Sequence, residues 1–181
     1  NMTLERDDVS ITISSRSNSS VRRIGSNSAF LEIIIEDSDN SSYPITGANA
    51  SIYVTKDGLT YSLIYNCTSS NGYCNAYHTP QCDSSVGAQY WLGGTIEKDG
   101  FSCYKTINSS NTTLTVYGQL NISLLSPSSY SILNRDRNAE LNSSVKDDCD
   151  QNINDANVNW YNSSWDLLGS GYNISWYVPL G

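Results

Sequence analysis

The sequence predicts an all-β protein built of two tandem β-sandwich modules. Short apolar runs alternate with polar residues, as half-buried strands require. The 181 residues include 31 Ser, 12 Thr, 20 Asn and 13 Tyr but only one Met and two Phe, which favours strands and turns over helices. Finally, the pattern of the first half recurs in the second half. A chain of this length can bury the cores of two small sandwiches.

The joint between the modules lies in residues 111–127. Its apolar residues alternate in two runs, which break at Gly118 and end at Pro127. We interpret the first run as the last strand of one module and the second run as the first strand of the next. The predicted domains are therefore residues 1–118 and 119–181. The runs are Leu114 and Val116, then Leu120, Ile122 and Leu124.

The repeat extends over several predicted strands and slips by one or two residues at turns. Tandem modules leave this pattern, because insertions settle in loops and spare strands. The matching residues are Asn1, Thr3 and Leu4 with Asn111, Thr113 and Leu114; Val9, Ile11, Ile13 and Ser15 with Leu120, Ile122, Leu124 and Ser126; Ala29, Leu31, Ile35 and Asp37 with Ala139, Leu141, Val145 and Asp147; and Ile45, Ala48, Asn49, Ile52 and Tyr53 with Ile153, Ala156, Asn157, Trp160 and Tyr161.

The second module is shorter than the first. If Trp176 corresponds to Trp91, the second module lacks a cysteine-rich insertion at about residues 62–86 and also the final strands. A sandwich without those strands exposes open sheet edges and an uncovered core. Either the native chain continues past Gly181, or a neighbouring copy supplies a strand. The first module has an N-terminal strand extension, and we expect this segment to complete a neighbour's second module. That hypothesis fails if residues 1–8 pack only against their own chain.

Eleven asparagines begin the N-x-[ST] acceptor pattern for N-glycosylation, whereas about five are expected from composition. The excess favours a glycosylated exterior protein, although an Asn- and Ser-rich chain also forms such sites by chance. They are Asn1, Asn18, Asn40, Asn49, Asn66, Asn108, Asn111, Asn121, Asn142, Asn162 and Asn173.

The five cysteines indicate the same oxidising compartment. Cys67, Cys74, Cys82 and Cys103 lie close together in the sequence, and the spacing lacks the C-x-x-C pair of a metal site. Of the three pairings that four cysteines allow, proximity favours Cys67 with Cys74 and Cys82 with Cys103. Cys149 is then free or bonded to another chain.

Charge and hydropathy exclude other classes. The net charge of −8 and the scattered basic residues argue against nucleic-acid binding. No apolar run approaches the roughly 18 residues of a membrane span. The first residue is Asn1, not an initiator Met before an apolar signal region, so we expect a processed or excised piece.

Three sequence elements resemble immunoglobulin-like repeats of microbial, especially archaeal, cell-surface proteins. They are G-A-N-A-S-I-Y at 47–53, D-A-N-V-N-W-Y at 155–161, and Trp176 followed by Val178 and Pro179. This resemblance implies an Ig-like sandwich fold in stalks, adhesins, surface layers or filaments, and it implies no catalytic residues.

Candidate chemistry in the chain is sparse. His78 is the only histidine and has no nucleophile motif nearby, so we expect a surface role and no enzyme. Asp148, Asp150 and Asn152 could ligate calcium, but they lack the Gly and Glu of the twelve-residue calcium loop. We expect no cofactor beyond covalent glycans. Most tryptophans alternate as core residues, whereas Trp165 lies in a turn and is a candidate contact residue.

The sequence thus predicts an extracellular, glycosylated subunit or segment of a surface filament, stalk or surface layer. Its expected partners are copies of itself, joined head to tail. The alternative function is an adhesin or carbohydrate-binding module. A structural polymer predicts a large interface and glycans on the remaining faces, whereas an adhesin predicts one glycan-free aromatic patch.

Overall fold

The computed structural model describes residues 6–40, 43–97, 103–128 and 131–179, and the all-β prediction is confirmed there. The described residues contain no helix that is long and apolar enough to cross a membrane. The chain divides into two compact units, Asn1–Gly118 and Gln119–Gly181, at the same position as the predicted boundary. The strands are β1 (Val9–Ile13), β2 (Ser20–Arg22), β3 (Ala29–Asp37), β4 (Tyr43–Pro44), β5 (Asn49–Thr55), β6 (Tyr61–Thr68), β7 (Tyr73–His78), β8 (Gly87–Thr95), β9 (Thr112–Tyr117), β10 (Leu120–Ser126), β11 (Arg137–Asp147), β12 (Asn159–Tyr161), β13 (Leu167–Ser170) and β14 (Asn173–Val178).

Unit 1 is an Ig-like β-sandwich of two sheets around one core. In the first sheet, β3 pairs with β1, β4 and β7. The second sheet has the order β2-β9-β8-β5-β6, and only the β2-β9 pair is parallel. Its core consists of alternating strand residues with small exposed fractions, among them Leu31, Ile33, Ile35, Ile52, Val54, Trp91, Leu114 and Val116.

Strand β3 is buried on its inner face and half-buried on its outer face. Its inner residues fill the core, and its outer face carries Glu32, whose side chain is only 1 % exposed. Arg16 covers this carboxylate with two hydrogen bonds, Nε to Oε1 at 2.9 Å and NH2 to Oε2 at 2.6 Å. The guanidinium carbon of Arg16 also lies 4.9 Å from the ring centroid of Tyr73. A buried carboxylate is tolerated because it is paired in this way.

Unit 2 contains a three-stranded sheet, β10-β11-β14, and a two-stranded sheet, β12-β13. Its register repeats that of unit 1: Ile122 pairs with Val145 as Ile11 pairs with Ile35. The next connection also repeats, because Ile153 N donates to Val145 O at 2.9 Å as Ile45 N donates to Ile35 O at 3.0 Å. The two units therefore share one strand arrangement over this part of the chain.

The predicted match of Trp176 to Trp91 is wrong. Trp176 pairs with Ala139 on β11, whereas the equivalent Ala29 on β3 pairs with His78 on β7. Strand β14 is therefore the counterpart of β7, and β13 pairs with β12 as β6 pairs with β5. The two tryptophans were matched because they are the same residue type, and the internal repeat alone does not give the strand register.

The segment at about residues 62–86 is consequently not an insertion. It contains β6 and β7, which have counterparts in unit 2, and Cys74 and Ala76 on β7 belong to the core. Within residues 119–128 and 131–179, unit 2 has instead no counterpart of β8 and β9.

The cysteine prediction is correct for one pair and wrong for the other. Cys67 and Cys74 form a disulfide with a Cα–Cα distance of 6.0 Å, which links β6 of one sheet to β7 of the other. Cys103 is an exposed free thiol, and Cys82 is disulfide-bonded. Cys149 is also disulfide-bonded, so the alternative that it is a free thiol is wrong.

Geometry explains why Cys82 does not pair with Cys103. The loop after Cys82 is tied to the end of β5, where Ser85 N donates to Lys56 O at 2.7 Å. The loop after Cys103 is tied to the other end of β8, where Thr95 Oγ1 donates to Lys105 O at 2.8 Å. A strand as long as β8 separates these ends by about 25 Å, whereas a disulfide requires Cα atoms within about 7 Å.

Asp7 is hydrogen-bonded to the segment 103–105 of its own chain. Asp7 N donates to Cys103 O at 2.8 Å, and Lys105 N donates to Asp7 O at 3.0 Å. Residues 6–8 therefore pack on their own chain, which removes them from the predicted strand donor. Asn1, Thr3 and Leu4, on which the donor prediction rests, lie outside the described residues.

Candidate functional site: the two faces of the second unit

The sheet β10-β11-β14 presents two chemically different faces. Residues directly opposite one another on paired strands lie on the same face of a sheet. Ile122 is opposite Val145, and Leu141 is opposite Ile174, so these residues share the inner face. Neighbouring positions along each strand point to the opposite, outer face.

The inner face has an uncovered apolar row on β10, which we call the β10 row and define as Leu120, Ile122 and Leu124. These side chains are 57 %, 62 % and 55 % exposed. Their counterparts in unit 1 include Val9 and Ile11, which are 7 % and 9 % exposed. The same pattern of residues is thus buried in one unit and open in the other.

The difference follows from the strands that unit 2 lacks. In unit 1, β8 packs closely on β3: a Cβ on Gly93 would lie 2.6 Å from Ile33 Cγ2, and Trp91 is completely buried. In the described part of unit 2, β13 lies over the β14 side, where Gly169 packs on Ile174. The β10 row lies where a counterpart of β8 would cover it.

Strand β12 borders this uncovered face with an open edge. In unit 1, β5 pairs with β6 on one side and with β8 on the other. In the described part of unit 2, β12 pairs with β13 alone. An unpaired edge beside an apolar face is the geometry that strand addition uses. We call the β10 row together with this edge of β12 the acceptor groove.

Three glycosylation acceptors lie on the outer face of the same sheet. Asn142 is opposite Asn173 on β14, and Asn121 is opposite Lys146 on β11, in the positions that alternate with the inner residues. Asn121 and Asn173 are exposed, and Asn142 is partly exposed. Glycans at these sites would coat the face opposite the acceptor groove.

The other predicted acceptors are spread over both units. Asn1 lies outside the described residues, and none of the remaining ten is buried. Asn18, Asn40, Asn66, Asn108 and Asn111 are exposed, whereas Asn49 and Asn162 are partly exposed. Glycosylation itself stays a prediction.

Two N-glycosylation acceptor triplets lie opposite each other on the β5-β6 hairpin. Asn49 is opposite Thr68, and Ser51 is opposite Asn66. Ser51 Oγ donates to Asn66 Oδ1 at 2.5 Å, and Thr68 Oγ1 donates to Asn49 Oδ1 at 3.4 Å. The hydroxyl of each acceptor triplet therefore bonds to the asparagine of the other.

His78 lies at the end of β7, and its charged neighbours are Lys56 and Asp83. Its pKa is lowered, first because burial disfavours the imidazolium and second because Lys56 is nearby, while Asp83 opposes the shift. Lys56 and Asp83 themselves form an ion pair. A neutral histidine beside such a pair has the environment of a packing residue.

Two of the three calcium candidates contact Lys146. Asp150 Oδ1 lies 3.5 Å from Lys146 Nζ, and Asn152 forms a β-bridge with Lys146. The ligand atoms that do approach one another belong to Asp147, Asp148 and the disulfide-bonded Cys149. Asp147 Oδ1 already accepts hydrogen bonds from two backbone N–H groups of this turn. Calcium binding at Asp148, Asp150 and Asn152 stays a prediction that this geometry does not favour.

Trp165 is 81 % exposed in the turn after β12. Its backbone has a φ of 65°, and the side chain of Asn162 holds the turn by accepting bonds from Ser164 N and Asp166 N. The Trp165 ring packs against Tyr161 at a centroid distance of 6.0 Å. The predicted contact residue is thus presented to solvent.

Sequence reasoning predicted an uncovered core in the second module but did not place it on the β10 row. Its alternating pattern is the same as that of buried β1, so the strand itself carries no signal of exposure. Only the missing cover strands distinguish the two cases, and these were assigned to the wrong place when Trp176 was matched to Trp91.

Comparison with known proteins identifies no family. No family model matches the chain, and no curated protein matches it. Several solved structures are similar at low identity, and three of them are described below. Fibronectin(III)-like modules of Clostridium thermocellum CbhA have a TM-score of 0.35 at 17 % identity, over 95 % of this chain and 80 % of theirs. Escherichia coli alpha-2-macroglobulin activated by porcine elastase has 0.39 at 9 %, over 98 % of this chain and 20 % of its own. Surface layer protein SbsC, domains 4–9, has 0.29 at 12 %, over 85 % of this chain and 23 % of its own.

Proposed function

We propose that this chain is an extracellular, N-glycosylated structural subunit or segment of a surface filament, stalk or surface layer. The observation that carries the proposal is the contrast between the two faces of the sheet β10-β11-β14. One face presents glycan acceptors, and the other presents the exposed β10 row beside an open strand edge. Contiguous exposed apolar surface of this kind marks protein contacts.

The proposed contact is strand addition from a second copy of the chain. A strand that takes the place of a β8 counterpart runs antiparallel to β12, as β8 does to β5. It hydrogen-bonds the open edge of β12 and covers the β10 row with its apolar side chains. Copies joined in this way form a head-to-tail series, because each copy both receives and supplies a strand.

We take residues 1–5 of the second copy as the donor strand. Asn1, Thr3 and Leu4 repeat the pattern of β9, and an extended segment of five residues spans about 17 Å. This length exceeds that of β12, so the segment is long enough to pair along its whole edge. The position beside β12 belongs to a β8 counterpart, so the match to β9 identifies a strand-forming segment but does not set its register.

The adhesin alternative has one specific observation in its favour. Trp165 is an exposed aromatic residue beside Tyr161. However, it lies close to the acceptor Asn162 in the same turn, so a glycan there would crowd the aromatic pair. The structural role therefore explains more surface features of the described residues than the adhesin alternative does.

Assembly of the purified chain tests the proposal. Sedimentation velocity over a series of protein concentrations measures association, and negative-stain electron microscopy identifies linear particles. We expect concentration-dependent linear assemblies from the full chain and monomers from a variant that lacks residues 1–5. A variant with residues 1–5 replaced by a flexible Gly/Ser segment controls for chain length.

Three outcomes separate the alternatives. If the variant that lacks residues 1–5 still assembles but Ile122→Ala does not, the acceptor groove is supported as the contact. Residues 1–5 are then not the donor strand. A chain that stays monomeric up to about 1 mM, where even weak specific contacts are populated, contradicts self-assembly. Globular oligomers with no linear growth contradict the head-to-tail arrangement.

A further inference from the structure

Unit 1 has a surface cleft of about 630 Å³ beside β2. Its lining includes Asn18, Arg22, Asn27, Tyr77 and Tyr117. Ligand-sized clefts usually bury most of a small molecule between apolar surfaces and a few polar groups. The cleft is large enough for one or two sugar rings.

Two tyrosine rings supply the apolar surfaces. Tyr77 is 73 % exposed, and its ring centroid lies 5.3 Å from that of Phe30 in a tilted arrangement. Tyr117 is 55 % exposed at the end of β9. Exposed, braced aromatic rings offer a flat apolar surface with little loss of side-chain entropy, and the C–H face of a pyranose matches it.

Arg22 adds a positive charge to the same cleft. It is paired with Tyr117 in the parallel β2-β9 register, so the two residues are neighbours on one face. In the part of the chain that the structure describes, no ion pair joins a carboxylate to Arg22. A guanidinium binds carboxylates in a bidentate way, and it stands here on a protein of net charge −8.

We infer that this cleft is a sugar-binding site for pyranoses and that it prefers those with an acidic substituent. The tyrosines stack on the ring, Arg22 binds the carboxylate, and the amide of Asn27 bonds to hydroxyl groups. The site shares no residue with the acceptor groove, so this inference goes beyond the proposed function and is tested independently of it.

The sugar has two possible sources with the same chemistry. Asn18 lines the cleft and begins an acceptor triplet. Its side-chain oxygen accepts a hydrogen bond from Phe30 N at 2.6 Å, which leaves the amide nitrogen for a glycan. The cleft therefore receives either the glycan of its own Asn18 or a glycan of a neighbouring molecule.

Saturation-transfer NMR on the full chain, made without glycans, tests the site. The probes are free D-glucuronic acid and D-glucose, titrated separately. We expect saturation transfer to both sugars and at least severalfold tighter binding of glucuronic acid. Arg22→Gln removes that preference, and Tyr117→Ala weakens both sugars by about tenfold because one stacking surface is lost. Tyr43→Ala, at a tyrosine that is 65 % exposed elsewhere, is the matched control and leaves binding unchanged.

A glycosylated preparation distinguishes the sources. If the glycan of Asn18 fills the cleft, free glucuronic acid binds only to the Asn18→Gln variant; if the cleft serves a neighbour, it binds to both proteins. The inference is overturned by absence of saturation transfer from the unglycosylated chain. It is also overturned if Tyr117→Ala and Tyr43→Ala behave alike while thermal melting shows both to be folded.

Discussion

The equivalent positions Ile11 and Ile122 allow one substitution to separate folding from assembly. Ile11 is 9 % exposed in β1, and Ile122 is 62 % exposed in β10. Both strands pair in the same register with the central strand of their sheet. Changing either residue to alanine removes the same atoms, so the two variants are matched controls for each other.

The magnitudes follow from exposure. Ile11→Ala leaves a cavity in the core of unit 1 and is expected to lower the free energy of unfolding by about 2–5 kcal/mol. Ile122→Ala removes carbon atoms that are mostly in water already, so the monomer loses about 1 kcal/mol or less. The three lost carbons would contribute about 0.8 kcal/mol each on complete burial. The part of this free energy that belongs to the exposed surface of Ile122 is about 1.5 kcal/mol. Its loss lowers the association constant about tenfold.

Two measurements check this prediction. Denaturant unfolding at low protein concentration gives the monomer stability of each variant, and sedimentation equilibrium gives the association constant. If Ile122→Ala destabilises the monomer as much as Ile11→Ala, the β10 row is covered within the monomer. If association is unchanged, the acceptor groove is not the contact. Either result refutes the reasoning from exposure.

Three further predictions concern unit 1. Replacing both Cys67 and Cys74 by alanine should lower unfolding free energy by about 2–3 kcal/mol, given the short loop that the disulfide closes, whereas Cys103→Ser should leave it unchanged in denaturant titrations. Gly93→Ala should cost about 1–3 kcal/mol in the same assay, because its Cβ would overlap Ile33 and overpack the contact between the sheets. The folded state lowers the pKa of His78, so the unfolded chain binds more protons, and stability should fall as pH drops below about 6.5. His78→Gln should flatten that part of the pH profile in thermal melts, and an unchanged profile would assign the acid sensitivity to other groups.

Local pattern was sufficient to predict most of the strands. The alternation in β1, β3, β5 and β10 reflects burial of one face, which depends on residues close in sequence. The repeat was detectable for the same reason, because equivalent strands preserve equivalent inner residues. Trp160 and Trp176 were predicted to face inward from their alternation with Val158 and Val178, and both are half-buried.

Features that depend on distant strands were not predictable in this way. The pairing of Trp176 with Ala139 is a property of register between β14 and β11, and nothing in either strand alone specifies it. The state of Cys103 depends on the length of β8, which separates two loops that are near in sequence. Proximity along the chain is a poor guide to disulfides where an extended strand intervenes.

Glycans and the acceptor groove are best understood together. An open strand edge with an apolar face can pair with any compatible chain, so a structural subunit must limit where addition occurs. Both edge strands of the sheet β10-β11-β14 carry an acceptor, Asn121 on β10 and Asn173 on β14, whereas β12 carries none. A bulky, hydrated glycan beside an edge obstructs pairing there, which leaves the edges of the β12-β13 sheet as the routes for addition. The Asn121→Gln, Asn173→Gln double variant should therefore form lateral aggregates in addition to linear assemblies, seen by electron microscopy of the glycosylated protein. Purely linear assembly by this variant would show that the glycans coat the surface without directing the contact.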